Sequence, residues 1–123
     1  AYTLKKNNDI LIRIGYIYTL LKDYTKAFEY FNMATSLDHA NPDAYFFKGL
    51  ALLQKSDFAN AEDMFRKALK IKRAEPYYFY LALALDKQKK IHGTISVLQE
   101  AYNNDMKSAR ICNYLGICML III

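Results

Sequence analysis

The sequence predicts an all-α protein: a solenoid of stacked antiparallel helix pairs, about seven helices in all. Three observations carry this reading. Only four Gly and two Pro punctuate the 123 residues, which disfavours an all-β fold. Small residues recur at a near-constant interval, Gly15, Gly49, Ala82 and Gly116 being 34, 33 and 34 residues apart. Two further classes keep the same phase: Ala27, Ala61 and Thr94, followed seven residues later by Ala34, Ala68 and Ala101, and the large apolar set Phe31, Phe65 and Leu98. With 54% hydrophobic and 15% aromatic residues the chain is long and apolar enough to bury a core, which excludes disorder.

Each unit reads as two helices of about fourteen residues joined by a short turn, at residues 22–24, 55–58 and 89–91. Two antiparallel helices pack closely only where side chains are small. Gly15 and Gly49 on the first helices are therefore expected to face Ala27 and Ala61 on the second, with Ala82 and Thr94 doing the same in the third unit. Phe31, Phe65 and Leu98 follow that contact by one helical turn and share its face, so they fill the core. Asn41-Pro42 reads as an N-cap followed by Pro at the first helical position, and Glu75-Pro76 starts the third unit similarly. The expected organisation is an N-terminal extension or the end of a preceding helix over 1–7, units over 8–41, 42–74 and 75–108, and the first helix of a truncated fourth unit over 109–123. In that register Cys112, Leu115, Gly116 and Met119 occupy the fourth, seventh, eighth and eleventh positions of a helix whose partner is missing. The nine-residue apolar run from Leu115 is about half of the ~20 residues a membrane span needs, so it reads as an uncovered interior face rather than an anchor. A homodimer through that face is expected, with the chain read as a fragment.

The period and pattern resemble the tetratricopeptide repeat family, with Gly or Ala at the eighth position, Ala at the twentieth, Phe at the twenty-fourth and Ala at the twenty-seventh. The second unit carries the likeness best through Tyr45, Gly49, Leu52, Phe58, Ala61, Phe65 and Ala68; the first matches through Gly15, Tyr18, Tyr24, Ala27, Phe31 and Ala34. The third keeps Tyr78, Leu81, Ala82, Leu85 and Ala101 but has Thr94 for Ala, and His39 and Arg73 stand where the family has its inter-repeat Pro. The resemblance implies a right-handed superhelix whose first helices line a concave surface. It also implies a non-enzymatic scaffold that binds an extended peptide or a partner helix.

By that analogy the groove is lined from the second, fifth, sixth, ninth and twelfth positions of each first helix. The central candidates are Ile12, Tyr16, Phe46, Phe47, Leu50, Phe79, Tyr80 and Leu83, an apolar and aromatic set that marks an interaction site. Family members that grip a chaperone's C-terminal carboxylate use Lys, Asn and Arg at positions that here hold Ile12, Tyr16, Phe47, Pro76 and Tyr80. None is such a donor, so the expected ligand offers apolar anchors instead of a carboxylate.

Other signals are weaker. Arg66, Lys67, Lys70, Lys72 and Arg73 form a basic run, and the net charge is +5. It reads chiefly as a wet convex face with Leu69 and Ile71 turned inward, and otherwise as a contact for an acidic partner or nucleic acid. The segments at 36–39 and 75–85 faintly resemble small secretion chaperones, which keeps a chaperone for secreted or unassembled proteins as an alternative. Cys112 and Cys118, about 9 Å apart along one helix, read as reduced packing residues of a cytoplasmic protein. His39 and His92 lack ligand-spaced neighbours, and there is no catalytic or phosphate-loop motif, so no metal, cofactor or enzymatic activity is expected.

Overall fold

The computed structural model describes residues 2–122, with side chains from Lys5 to Leu120; Ala1 and Ile123, at the ends of the expected extension and apolar run, lie outside the described residues. Seven helices follow one another: α1 (Tyr2–Leu20), α2 (Tyr24–Leu37), α3 (Pro42–Gln54), α4 (Phe58–Ile71), α5 (Glu75–Lys87), α6 (Ile91–Asn103) and α7 (Ala109–Ile122). Each packs mainly on its neighbours in sequence, α1 on α2, α2 on α3 and so on to α6 on α7. That quasi-one-dimensional order is the solenoid the period predicts. The helix α1 runs without a break from Tyr2. It thus absorbs the expected extension over 2–7 into the first helix.

The small residues do their work against rings more than against alanines. A Cβ placed on Gly15 would lie 2.7 Å from the Phe31 ring, and one on Gly49 would lie 2.6 Å from Phe65. Ala27 and Ala61 are also fully buried, but the tightest neighbour of each glycine is the aromatic four residues further on. In the third unit the pair is Ala82 with Leu98, both buried: where the ring is gone, the Cβ returns. Thr94 keeps its place by turning its hydroxyl onto its own helix, donating to the Lys90 carbonyl at 3.0 Å.

The turns that close α1, α3, α5 and α6 repeat one geometry. Lys22, Ser56, Lys89 and Asp105 have φ between 63° and 67°. The next residue's N–H then reaches back five residues, Asp23 to the Tyr18 carbonyl (2.9 Å), Asp57 to Leu52 (2.9 Å), Lys90 to Leu85 (3.0 Å) and Met106 to Ala101 (2.9 Å). These are left-handed helix caps built without glycine. Asn41 caps α3 as expected, its side chain accepting from the Asp43 N–H at 3.0 Å. The α5 start differs: Ala74 is its N-cap and Glu75 lies inside the first turn, free to bond elsewhere. Asn8 is buried, donating to the Ala34 carbonyl at 2.6 Å and accepting from the Asn41 amide at 2.6 Å. It ties the start of the first unit to the end of α2 and the beginning of α3.

The core is continuous through units two to four, from Phe46, Phe65 and Tyr78 to Leu98 and Ile111, with a smaller cluster around Ile12, Ala27 and Phe31. Of the two cysteines only Cys118 packs, its thiol held protonated by burial; Cys112 is exposed. Among the described residues no helix is long and apolar enough to cross a membrane.

Candidate functional site

The first helices α1, α3, α5 and α7 bring one side of each unit together, and six aromatic rings run across it. Tyr16 meets Phe47 edge-on with centroids 5.6 Å apart, and Phe47 meets Phe46 at 5.4 Å. The chain of rings continues from Phe46 to Tyr80 (5.7 Å), Tyr80 to Phe79 (5.2 Å) and Phe79 to Tyr114 (5.8 Å). Edge-to-face contacts of this kind hold rings rigidly and add stabilisation beyond area burial.

The eight predicted groove residues separate into two groups. Ile12 (5% exposed) and Phe46 (8%) are core side chains. Phe46 sits between Phe47, Phe65, Tyr77 and Tyr80, which enclose it, whereas Phe79, at the same fifth position one unit on, meets only Tyr80 and Tyr114 among the rings and stays half-buried. Tyr16 is 41% exposed, and Phe47, Leu50, Phe79, Tyr80 and Leu83 are half-buried, so these six supply the apolar surface. At the α1 and α3 end, Asp9, Ile12, Arg13, Tyr16, Asp43 and Phe47 enclose a hollow of about 520 Å³. A second, shallower hollow of about 460 Å³ lies between α5 and α7, walled by Phe79, Leu83, Tyr114 and Ile117 with Asp86, Arg110 and Asn113 at its edge.

Most polar groups at this surface are already paired. The Tyr77 hydroxyl donates to Asp43 Oδ1 at 2.7 Å and the Tyr114 hydroxyl to Asp86 Oδ2 at 2.6 Å. Burial and the adjacent carboxylate push both phenols well above the ordinary tyrosine range, so they remain donors. Arg110 grips Glu75 with two bonds, Nε to Oε2 at 2.7 Å and Nη2 to Oε1 at 2.5 Å, while its guanidinium lies 4.2 Å from the Phe79 ring centre. The Ser108 hydroxyl donates to the same carboxylate. What remains on offer between the hollows is ring and methyl surface.

Glu75 and Tyr114 border the row of rings without having been expected there from the sequence, and Arg110, at the second position of the fourth unit's first helix, joins them. The signal available was a Glu and an Arg 35 residues apart, close to the repeat period and at adjacent register positions.

The basic run lies on other faces. Arg66, Lys67, Lys70, Lys72 and Arg73 are all exposed, with Arg66 paired to Glu62 at 3.0 Å and Arg73 donating to Asn104 at 3.3 Å. Leu69 is half-buried as expected, but Ile71 is exposed, since α4 ends there and the chain leaves the packed face. Burial, helped by the charge of Lys67, lowers the Lys48 ammonium below its ordinary value.

A family model described as tetratricopeptide repeat matches residues 9–41 and 42–75. No curated protein sequence matches the chain. Among solved structures, the first repeat domain of Spaghetti (RPAP3), bound to the HSP90 peptide SRMEEVD, superposes with a TM-score of 0.84 at 17% identity, covering 95% of this chain and 96% of that one. The N-terminal domain of stress-induced protein-1 from C. elegans gives 0.86 at 15% identity, covering 94% and 97%. YrrB, described as having an unusual peptide-binding site, gives 0.76 at 22% identity, covering 89% of this chain and 57% of that one. At these identities the likeness establishes the fold.

The Glu75–Arg110 fork makes the attachment of α7 sensitive to acid. The bonds from Arg110 hold the Glu75 carboxyl below its usual 4.5 despite partial burial. A depressed folded value stabilises the charged form, so this contribution is complete above pH 4.5 and is lost as pH falls through the lowered value. The protection factors of α7 amides, corrected for the intrinsic slowing of exchange in acid, are therefore expected to fall on acidification before those of α3 and α4. Glu75→Gln is expected to cost about 1 kcal/mol at neutral pH and to flatten that acid dependence.

Proposed function

Because the chain belongs to the tetratricopeptide repeat family, we propose that it is a non-enzymatic interaction module whose concave face takes a peptide or partner helix with apolar anchors. The unbroken run of rings from Tyr16 to Tyr114 carries this reading, with its polar neighbours Asp43, Asp86 and Arg110 already paired inside the protein. A ligand carboxylate would meet Ile12, Tyr16, Phe47, Pro76 and Tyr80 where a clamp needs cationic or amide donors. The HSP90 peptide held by the Spaghetti domain is accordingly not the ligand class proposed here. The same groove would serve a chaperone that shields an apolar segment of an unassembled or secreted protein. The exposed basic residues of α4 favour a second partner type, an acidic surface or nucleic acid, which would show a steep loss of binding with salt. Two unpaired cysteines support action in a reducing compartment such as the cytoplasm.

We further propose self-association through α7. In α1 and α3 the eighth-position glycine is covered by an aromatic ring, whereas a Cβ on Gly116 would meet nothing within 4 Å. Beside it Ile117, Met119 and Leu120 are exposed. A second copy of α7 can approach closely at Gly116 and cover this surface.

Two measurements test these readings. With a fluorescent peptide carrying two Phe anchors and no net charge, Tyr16→Ala combined with Phe79→Ala is expected to weaken binding at least about tenfold while the helical circular dichroism persists. Retained binding would place the ligand elsewhere, and binding lost on raising salt would favour the basic residues. Phe46→Ala is not suited to this purpose, since emptying its buried site costs about 3–5 kcal/mol of stability. In sedimentation, a monomer–dimer equilibrium that shifts with dilution and is abolished by Leu120→Lys supports the α7 contact, and concentration-independent monomers refute it.

A further inference from the structure

Away from the groove, one hollow between second helices is chemically unlike its equivalents in the other units. Between α4, α5 and α6, Leu69, Leu81 and Val97 wall a space of about 270 Å³ with Tyr78 at its base and Arg66, Lys70, Arg73 and Glu100 around it. One period earlier the three cations are replaced by Asn32, Ser36 and His39, and Leu81 by Lys48. There Lys48 Nζ donates to Asn32 Oδ1 at 2.7 Å, a bond made inside the fold. One period later Gln99, Asn103 and Met106 stand in the cations' places and the exposed Cys112 in that of Tyr78. Stacking the units does not require three cations at this interface.

Arg66 and Lys70 lie one turn apart on one face of α4, and Arg73 follows just past its end. A helix C-terminus favours basic residues by its dipole alone, but the dipole does not place a tyrosine beneath them. Tyr78 is 1% exposed, yet its hydroxyl has no hydrogen-bond partner among the described residues. Every fully enclosed side-chain oxygen or nitrogen among those residues does have one, so this hydroxyl opens into the hollow that Tyr78 lines. Burial keeps the phenol protonated, Glu100 adding to the effect and Arg73 opposing it, so the group remains a donor. Lys70 is also without a partner among the described residues. Arg66 commits only Nε to Glu62, and Arg73 only Nη1 to Asn104, which leaves the other N–H groups of both available.

The charge and shape of the hollow select its occupant. Three cations against one carboxylate leave two positive charges in excess. A phosphate monoester matches that excess, with about −1.5 to −2 charge at neutral pH and three acceptor oxygens, whereas each diester of a nucleic-acid backbone carries a single charge. The methyl surface of Leu69, Leu81 and Val97 suits the methyl group of a threonine side chain. The same surface would leave the hydroxyls of a glycerol or sugar phosphate without partners.

We propose that this hollow binds a phosphorylated threonine of a partner protein, with Arg66, Lys70 and Arg73 around the phosphate and the Tyr78 hydroxyl donating to it from the base. The site rests on the α4 basic residues acting as a second contact and is independent of the concave groove. Lys67 and Lys72 do not line it and fall outside it.

The test is a nuclear magnetic resonance titration of the isotope-labelled chain with N-acetyl-phosphothreonine N-methylamide. Shifts are expected for the amides of residues 66–73 and of Tyr78 at up to about 10 millimolar, with affinity rising between about pH 5 and pH 7 as the second phosphate proton leaves. Lys70→Gln and Tyr78→Phe should each weaken binding at least about threefold, the latter with the thermal midpoint unchanged, since the hydroxyl it removes bonds to nothing in the protein. Lys67→Gln should have a smaller effect than Lys70→Gln, and dimethyl phosphate and glycerol 3-phosphate should bind more weakly than the phosphothreonine. No response at about 10 millimolar, equal losses from Lys67→Gln and Lys70→Gln, a Tyr78→Phe variant that binds as well as the parent chain, or equal binding of either comparison phosphate would each overturn the proposal. Salt-sensitive binding of single-stranded DNA that persists when phosphothreonine gives no response would overturn the site while leaving the basic residues as a contact surface.

Discussion

The packing of an aromatic ring onto a glycine fixes the distance between the two helices of a unit, and the rest of the stack inherits that distance. With Phe31 against Gly15 and Phe65 against Gly49, each ring occupies space that a single methyl group would deny it. The helix axes are held close enough for Ala27, Ala34, Ala61 and Ala68 to be fully buried between them. In the third unit Ala82 and Leu98, both buried, stand at the equivalent positions, a branched side chain in place of the ring and a Cβ in place of the glycine hydrogen. Because each unit packs only on its neighbours, a change in one interhelical distance would rotate everything beyond it.

That rotation matters because the concave surface is assembled from four separate helices. Tyr16, Phe47, Tyr80, Phe79 and Tyr114 come from α1, α3, α5 and α7, and they meet at 5–6 Å only while the units keep their relative placement. The polar bonds between units act in the same direction. Tyr77 to Asp43 joins α5 to α3, and Tyr114 to Asp86 with the Arg110–Glu75 fork joins α7 to α5. These bonds also pair Asp43, Asp86, Glu75 and Arg110 within the protein, leaving mainly aromatic and aliphatic surface between them.

The sequence made the period, the fold class and the identity of the core rings legible because those depend on spacing along single helices. The start of α3 was equally readable, since an Asn before a Pro has one common use. Other features depended on relations between helices and were not. Phe46 and Ile12 occupy groove positions by register, yet both are buried, Phe46 among rings of α3, α4 and α5 that only the folded stack brings together. The turns at Lys22, Ser56 and Lys89 adopt left-handed backbone without glycine, so the usual punctuation was absent. Asn8 looked like an ordinary polar residue, and only the fold shows it bonding to both Ala34 and Asn41. The Glu75–Arg110 fork required knowing that one whole repeat separates neighbours across the groove.

The dependence of the stack on its glycine–aromatic contact is tested most directly by a double-mutant cycle on Gly49 and Phe65 in urea unfolding. Gly49→Ala removes a helix-interior glycine, which in an open helix would stabilise by up to about 1 kcal/mol. Here the added Cβ meets the Phe65 ring, and a net loss of about 2 kcal/mol is predicted. Adding Phe65→Leu, which copies the Ala82–Leu98 pair, should recover at least about 1 kcal/mol relative to the sum of the single changes. Additive effects, or a Gly49→Ala variant as stable as the parent chain, would contradict the claim that this contact sets the spacing of the fold.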